Sequence, residues 1–231
     1  MVESVLHKWF TRPARVDSIE ALTANFRLIT LSGEALKQVA WTPGDKVQIP
    51  LGGWVQRTYT PMDWDPVAGR FRILICLQAD GPGSRWAHSL RPGDPCAIFG
   101  PRKSIDLTQL RHPVVFVGDE TSFGLARALQ GLKAQAEEVQ CRFELSTPEA
   151  LAALEFLNLP FAPFQTDSEA HWLEVEAQIR ALIAPDRPLD FVLTGKATTV
   201  QRLRKFLRQE GIAASRIHAR AYWAPGKKGL D

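Results

Sequence analysis

The chain has 231 residues, of which 45% are hydrophobic and 23% charged, and its formal net charge is +3. That length supports one large domain or two small ones with a real core, and the balance excludes a disordered or fibrous chain. So mild a basic excess does not demand nucleic acid, and none is expected as a partner, although locally concentrated charge would draw an anionic ligand.

The N-terminal stretch 1–16 carries His7, Lys8, Arg12 and Arg15 without an apolar core, and no window of the chain is apolar enough to span a bilayer. A cytoplasmic protein without membrane insertion is expected, and a monomer. Cys76, Cys96 and Cys141 are far apart in apolar, strand-like runs, lack metal spacing and cannot all pair, which fits buried free thiols in a reducing compartment.

From Arg15 to about Gly100 the pattern is one of short alternating runs broken by turns. Phe26, Leu28 and Thr30 alternate with Arg27, Ile29 and Leu31, and Phe71, Ile73, Ile75 and Leu77 share one face of a later strand. Pro43-Gly44-Asp45 and Pro92-Gly93-Asp94 are turns that lead into apolar runs. Asp65-Pro66-Val67-Ala68-Gly69 is a hairpin turn that joins the Phe71 strand to the run before it. Roughly six strands with one helix near 84–90 predict a small antiparallel barrel.

Within this barrel, Arg57-Thr58-Tyr59-Thr60 puts a cation, an aromatic face and a hydroxyl on one extended run. Alternation sends Arg57 and Tyr59 to one face, and a bend at Pro61 brings the Thr60 hydroxyl round to join them. Gly81-Pro82-Gly83-Ser84, followed by Arg85 and Trp86, is a glycine-rich turn into a helix, where free N–H groups beside the positive helix end suit a phosphate. Together these are a cation for a diphosphate, a flat ring for a ring system and a hydroxyl for a ring nitrogen, a set that points to a flavin nucleotide. Read alone, the first motif is also an ordinary strand and the second a turn with Ser84 as helix cap.

After Pro113 the period changes. Val114–Val117 reads as a buried parallel strand, 121–136 as a helix with Leu125, Leu129 and Leu132 on one face, and 141–145 as a strand. Helices follow at 148–157, at 171–183 with Leu173, Ala177, Ile179 and Leu182 inward, and at 198–209 with Val200, Leu203 and Leu207 inward; strands follow at 191–193 and 217–223. Alternating strands and helices predict a Rossmann-like α/β domain. The polar connector 102–112 separates the two patterns, giving a barrel domain over 1–108 and an α/β domain over 109–231. Gly118-Asp119-Glu120-Thr121 ends the first α/β strand, at the edge where open sheets bind ligands; its other reading is a helix cap. Thr194-Gly195-Lys196-Ala197 repeats the arrangement on a later strand, with Lys196 placed to meet a nucleotide phosphate. Arg202, Arg204, Lys205 and Arg208 line one helix as a solvated face. No paired carboxylates, Ser-His-Asp spacing or HExxH motif occurs, and the five histidines have no ligand spacing, so hydrolysis and a protein-held metal are disfavoured.

Arg-x-Tyr-Thr, then Asp-Gly-Pro-Gly-Ser-Arg-Trp-Ala, then Gly-Asp-Glu-Thr, in that order, resembles the siderophore-interacting protein family, within the ferredoxin-reductase-like superfamily. The resemblance runs from about Arg15 to Trp223. It implies an FAD-dependent reductase that takes electrons from NADH or NADPH to a ferric siderophore or other iron chelate and releases Fe(II). By this likeness Arg57 holds the FAD diphosphate, Tyr59 packs on the isoalloxazine and Thr60 hydrogen-bonds flavin N5, with Gly81, Gly83 and Ser84 at the cofactor. Gly118, Asp119, Glu120, Thr121, Gly195 and Lys196 would meet NAD(P)H. The chain departs from the family pattern at Gln48, Met62, Gly124, Lys196 and Ala224, and Lys46, Arg85, Lys227 and Lys228 are the cations expected to receive an anionic ferric complex. Two alternatives stand beside this one: the same scaffold serving a ferredoxin or flavodoxin partner, and a non-enzymatic siderophore-binding module.

Overall fold

The computed structural model describes residues 11–77, 80–132, 138–184 and 186–226. The chain forms two compact units, Met1–Ser104 and Ile105–Asp231. The first holds β1 (Thr11–Thr23), β2 (Phe26–Ser32), β3 (Lys46–Gly52), β4 (Val55–Tyr59), β5 (Met62–Asp65), β6 (Arg70–Cys76), α1 (Pro82–Ser89) and β7 (Pro95–Arg102). Its strands pair antiparallel in the order β4-β3-β7-β1-β2-β6-β5. Alternation does the sorting: Phe71, Ile73, Ile75 and Leu77 are all buried, together with Ile29, Leu31, Val47 and Ile98. Each such side chain contributes roughly 1.5–3 kcal/mol of burial.

Among the described residues there are seven strands, not six, and the barrel is open. Pro61 has no N–H to give a ladder and interrupts the run that the hairpin at 65–69 had been expected to close on. The run divides into β4 and β5, which lie at opposite edges of the sheet although only Thr60 and Pro61 separate them. The sheet must therefore curl until its edges nearly meet at Thr60, but no ladder joins them.

The second unit alternates β8 (Val114–Asp119), α2 (Phe123–Gln130), β9 (Val139–Glu144), α3 (Pro148–Phe156), β10 (Phe161–Phe164), α4 (Glu169–Arg180), β11 (Asp190–Lys196), α5 (Ala197–Gln209) and β12 (Ile217–Trp223). All its strand pairs are parallel, in the order β10-β9-β8-β11-β12. β8 is buried along its whole length, as a central parallel strand must be. β10 carried no strand signal because Pro163 argues against one; it is an edge strand, where a missing N–H is tolerated. The inward face of α4 is Val175 and Ile179, while Leu173 is 60% exposed, so the expected face is rotated. Val200, Leu203 and Leu207 of α5 are buried as expected. Arg202 is not merely solvated: it donates to Glu169 and Glu176 and lies 4.6 Å from the Trp172 ring centroid, pinning α5 to α4. Among the described residues no helix is long and apolar enough to cross a membrane.

Candidate functional site

In the first unit, β4 carries Arg57 and Tyr59 on the face shared with Val47 and Ile49 of β3, because Tyr59 pairs with Val47 and Arg57 with Ile49. Thr58 takes the other face with Gln48, whose amide reaches the Thr58 hydroxyl at 3.5 Å. The two sequence motifs meet at Gly83. A Cβ built there would sit 3.1 Å from the Tyr59 hydroxyl and 3.3 Å from Arg57 Cγ, so only glycine lets α1 approach β4 so closely. Tyr59 also stacks on Trp86 of α1, ring centroids 6.3 Å apart at 29°.

The first turn of α1 begins on Gly81, with Pro82 next, and no side chain caps it. The first-turn N–H groups thus face outward beside Arg57 and the positive end of the helix. Ser84 stands inside that turn rather than at the cap, and Arg85 N–H makes the first helical bond, to the Gly81 carbonyl at 3.0 Å. The Arg57 guanidinium donates to the Gln56 carbonyl at 2.8 Å, its one hydrogen bond among the described residues. Burial raises the Tyr59 phenol pKa, against the pull of the Arg57 charge, so the ring stays neutral. A close glycine approach, an uncapped helix start and an underused arginine fit a diphosphate, with Tyr59 and Thr60 next along the chain for the ring system.

The four cations expected at the substrate are differently placed. Lys46 is 5% exposed, whereas Arg85 is on the surface and bonded to the Asp80 carboxylate at 2.8 Å. Lys227 and Lys228 lie outside the described residues. Met62 is fully buried on β5, and Gln48 is buried as well, so neither offers a ligand contact at the surface.

In the second unit the carboxyl edge of the sheet gathers Gly118, Asp119, Glu120, Thr121, Gly195 and Lys196. Asp119 is 3% exposed: one oxygen accepts from the Thr121 N–H and hydroxyl, the other from Trp223 Nε1 at 2.7 Å. Burial raises its pKa, while the Thr121 and Trp223 bonds oppose the rise. Gly195, at φ +96, lies flat on this carboxylate, and a Cβ there would be 2.4 Å from its oxygen. Gly118 is packed against Ser122, whose hydroxyl accepts from Thr194 at 2.8 Å. The Glu120 carboxylate accepts from the Ser146 N–H and hydroxyl, which fixes the loop after β9. These side chains build the rim of the sheet edge, leaving backbone and small residues on its surface, as close approach of a dinucleotide requires.

Glu144, at the end of β9, was not singled out by the sequence. It accepts hydrogen bonds from Thr166 and Thr199, and Lys196 Nζ lies 3.5 Å from its Oε1. Lys196 is therefore already paired. Neither Glu144 nor the Trp223 bond could have been found in one sequence, because each joins strand ends that lie far apart in the chain and that only the folded sheet brings together. Among the described residues no group of His, Cys, Asp and Glu is placed to hold a metal ion.

Comparison with known proteins gives a consistent picture. A family model described as a siderophore-interacting FAD-binding domain matches residues 53–105, and one described as a siderophore-interacting protein matches residues 112–226. The NADPH-dependent ferric-chelate reductase of Escherichia coli (strain K12) is 24% identical over 248 residues, covering 92% of this chain and 92% of that protein. The structure of the siderophore-interacting protein SipS from Aeromonas hydrophila superimposes with a TM-score of 0.76 at 21% identity, over 94% of this chain and 93% of its own. A ferredoxin NADP+ reductase from Neisseria gonorrhoeae, with bound FAD and NADP, gives a TM-score of 0.72 at 15% identity, over 92% of this chain and 98% of its own.

Proposed function

The chain belongs to the siderophore-interacting protein family, and from that premise we propose that it is a flavin-dependent reductase passing electrons from NAD(P)H through FAD to chelated iron(III). The observation that carries the reading is the meeting of Arg57, Tyr59 and the uncapped start of α1 at Gly83. When bound, FAD supplies the exchange between two-electron and one-electron chemistry, so one nicotinamide reduces two ferric ions. The protein's part is placement. Arg57 and the Gly83 and Ser84 N–H groups would hold the diphosphate, and Tyr59 and the Thr60 hydroxyl would hold the ring system. Gly118, Thr121 and Gly195 give the nicotinamide dinucleotide a surface to cross, with Asp119 and Glu120 setting that surface from behind. No residue need donate or abstract a proton.

The substrate we assign is a ferric siderophore or similar anionic iron chelate, with Arg85, Lys227 and Lys228 as the cations that attract it; Lys46, buried in β3, is not among them. Fe(II) binds hard oxygen chelators more weakly than Fe(III), so reduction releases the metal. A monomer working in the cytoplasm without nucleic acid belongs to the same reading; Cys76, Cys96 and Cys141 are not joined by disulfides, which fits the reducing compartment. The test is a purified, FAD-loaded preparation given NAD(P)H and a ferric chelate, with Fe(II) trapped by a colour-forming chelator. Two Fe(II) per nicotinamide are expected. A preparation that takes up no FAD, or oxidises nicotinamide at the same rate with and without the chelate, refutes the reading.

A further inference from the structure

The strand order of the second unit reverses between β8 and β11, with β9 and β10 laid out on one side and β12 on the other. A dinucleotide on such a sheet crosses the carboxyl ends of the strands at the reversal, and its adenosine ribose reaches the end of the strand next to the phosphate-binding turn. Here that strand is β9. Beyond its end opens a cleft of about 480 Å³, walled by Ser146 and Thr147 after β9, Gln165 after β10, and His171, Glu174 and Gln178 of α4. The size is that of a small-molecule site.

Among the described residues no lysine or arginine lines the cleft. The Glu174 carboxylate accepts from Gln178 Nε2 at 3.1 Å through one oxygen only, and His171 Nδ1 is engaged by the Asp167 carboxylate. The cation at the end of β11, Lys196, is paired with Glu144. A 2′-phosphate needs a cationic partner, for which arginine is the usual choice, whereas a ribose diol is held by a carboxylate and hydroxyls.

Building on the reductase reading, we propose that this chain uses NADH in preference to NADPH, with Glu174 and the Ser146-Thr147 turn receiving the adenosine ribose hydroxyls. The inference parts from the Escherichia coli relative, whose name gives NADPH.

Binding decides it without turnover. The FAD-loaded protein is titrated with 5′-AMP and with 2′,5′-ADP, which differ by the 2′-phosphate alone. The expected result is that 5′-AMP binds at least tenfold more tightly, and that Glu174→Arg brings the two within threefold. Equal or tighter binding of 2′,5′-ADP by the unaltered protein overturns the preference, and failure of both nucleotides to bind overturns the site. In turnover, kcat/KM for NADH should exceed that for NADPH by tenfold or more. Nucleotides that bind as stated while no ferric chelate is reduced would count against the reductase reading and leave the preference standing.

Discussion

Gly83→Ala separates the flavin site from the stability of the fold, because the two effects have opposite signs. Alanine is favoured over glycine in a helix by about 1 kcal/mol in the interior, and by less in the first turn where Gly83 stands. The new methyl would also meet the Tyr59 hydroxyl at 3.1 Å and Arg57 Cγ at 3.3 Å, closer than comfortable contact by a few tenths of an ångström. The Tyr59 hydroxyl, at the far end of its ring, gives these few tenths by a small tilt against Trp86, and the rest of the strain passes to the Arg57 side chain, whose guanidinium end can move. Fold stability should be unchanged or slightly raised. The guanidinium's bonds to a diphosphate, each worth about 1.5–3 kcal/mol, should be partly lost, and a loss of about 1.4 kcal/mol is a tenfold weaker FAD complex. Flavin titration followed by tryptophan quenching gives the affinity, and thermal melting of the FAD-free protein gives the stability. An FAD affinity within twofold of the starting protein, with an unaltered melt, would show that α1 and β4 do not clasp the cofactor.

Three further outcomes follow from the second unit. Gly195→Ala combines φ +96 with a methyl 2.4 Å from the Asp119 carboxylate; backbone strain alone costs about 1–3 kcal/mol, so a melting temperature lowered by less than about 4 °C would argue against the packing described. Trp223→Phe removes the Nε1 donor and leaves one buried Asp119 oxygen unpaired, a loss of about 1–3 kcal/mol; adding Trp223→Phe to Asp119→Asn should cost clearly less than it does alone, and full additivity would mean that the two side chains are not coupled. Because burial raises the folded-state pKa of Asp119 above its unfolded value, its stabilising contribution is complete below the unfolded pKa and is lost as pH rises through the folded one. The melting advantage of the unaltered protein over Asp119→Asn should therefore shrink from pH 4 upward, and an advantage that grows would reverse the assignment.

The strand and the helix start that carry the proposed flavin motif were legible because their signals are local: Arg57 and Tyr59 are two apart on a strand, and Gly83 sits at a helix start marked by Pro82. The alternation that buried Phe71, Ile73 and Ile75 was equally visible. The seventh strand was hidden because Pro61 breaks a run that propensity alone reads as continuous. At the sheet edge, the Gly-Asp-Glu-Thr sequence marked the end of β8 but not how its side chains are spent. Asp119 turns inward to Thr121 and Trp223, and Glu120 turns to Ser146. The rotated face of α4 has a similar cause: Leu173 fits the helical period, yet Trp172 beside it is drawn under Arg202, and Val175 and Ile179 take the core.

The Asp119–Trp223 bond spans 104 residues of chain and joins the first strand of the α/β unit to its last. During synthesis, the sheet edge would emerge from the ribosome with a buried-type carboxyl still short of its donor, and with β11 lacking its outer neighbour. A parallel sheet gains its long-range pairings late in any case. The nucleotide-binding surface would therefore mature only once residue 223 has been made, so the barrel unit could be finished, and could hold flavin, well before electrons have a donor to arrive from.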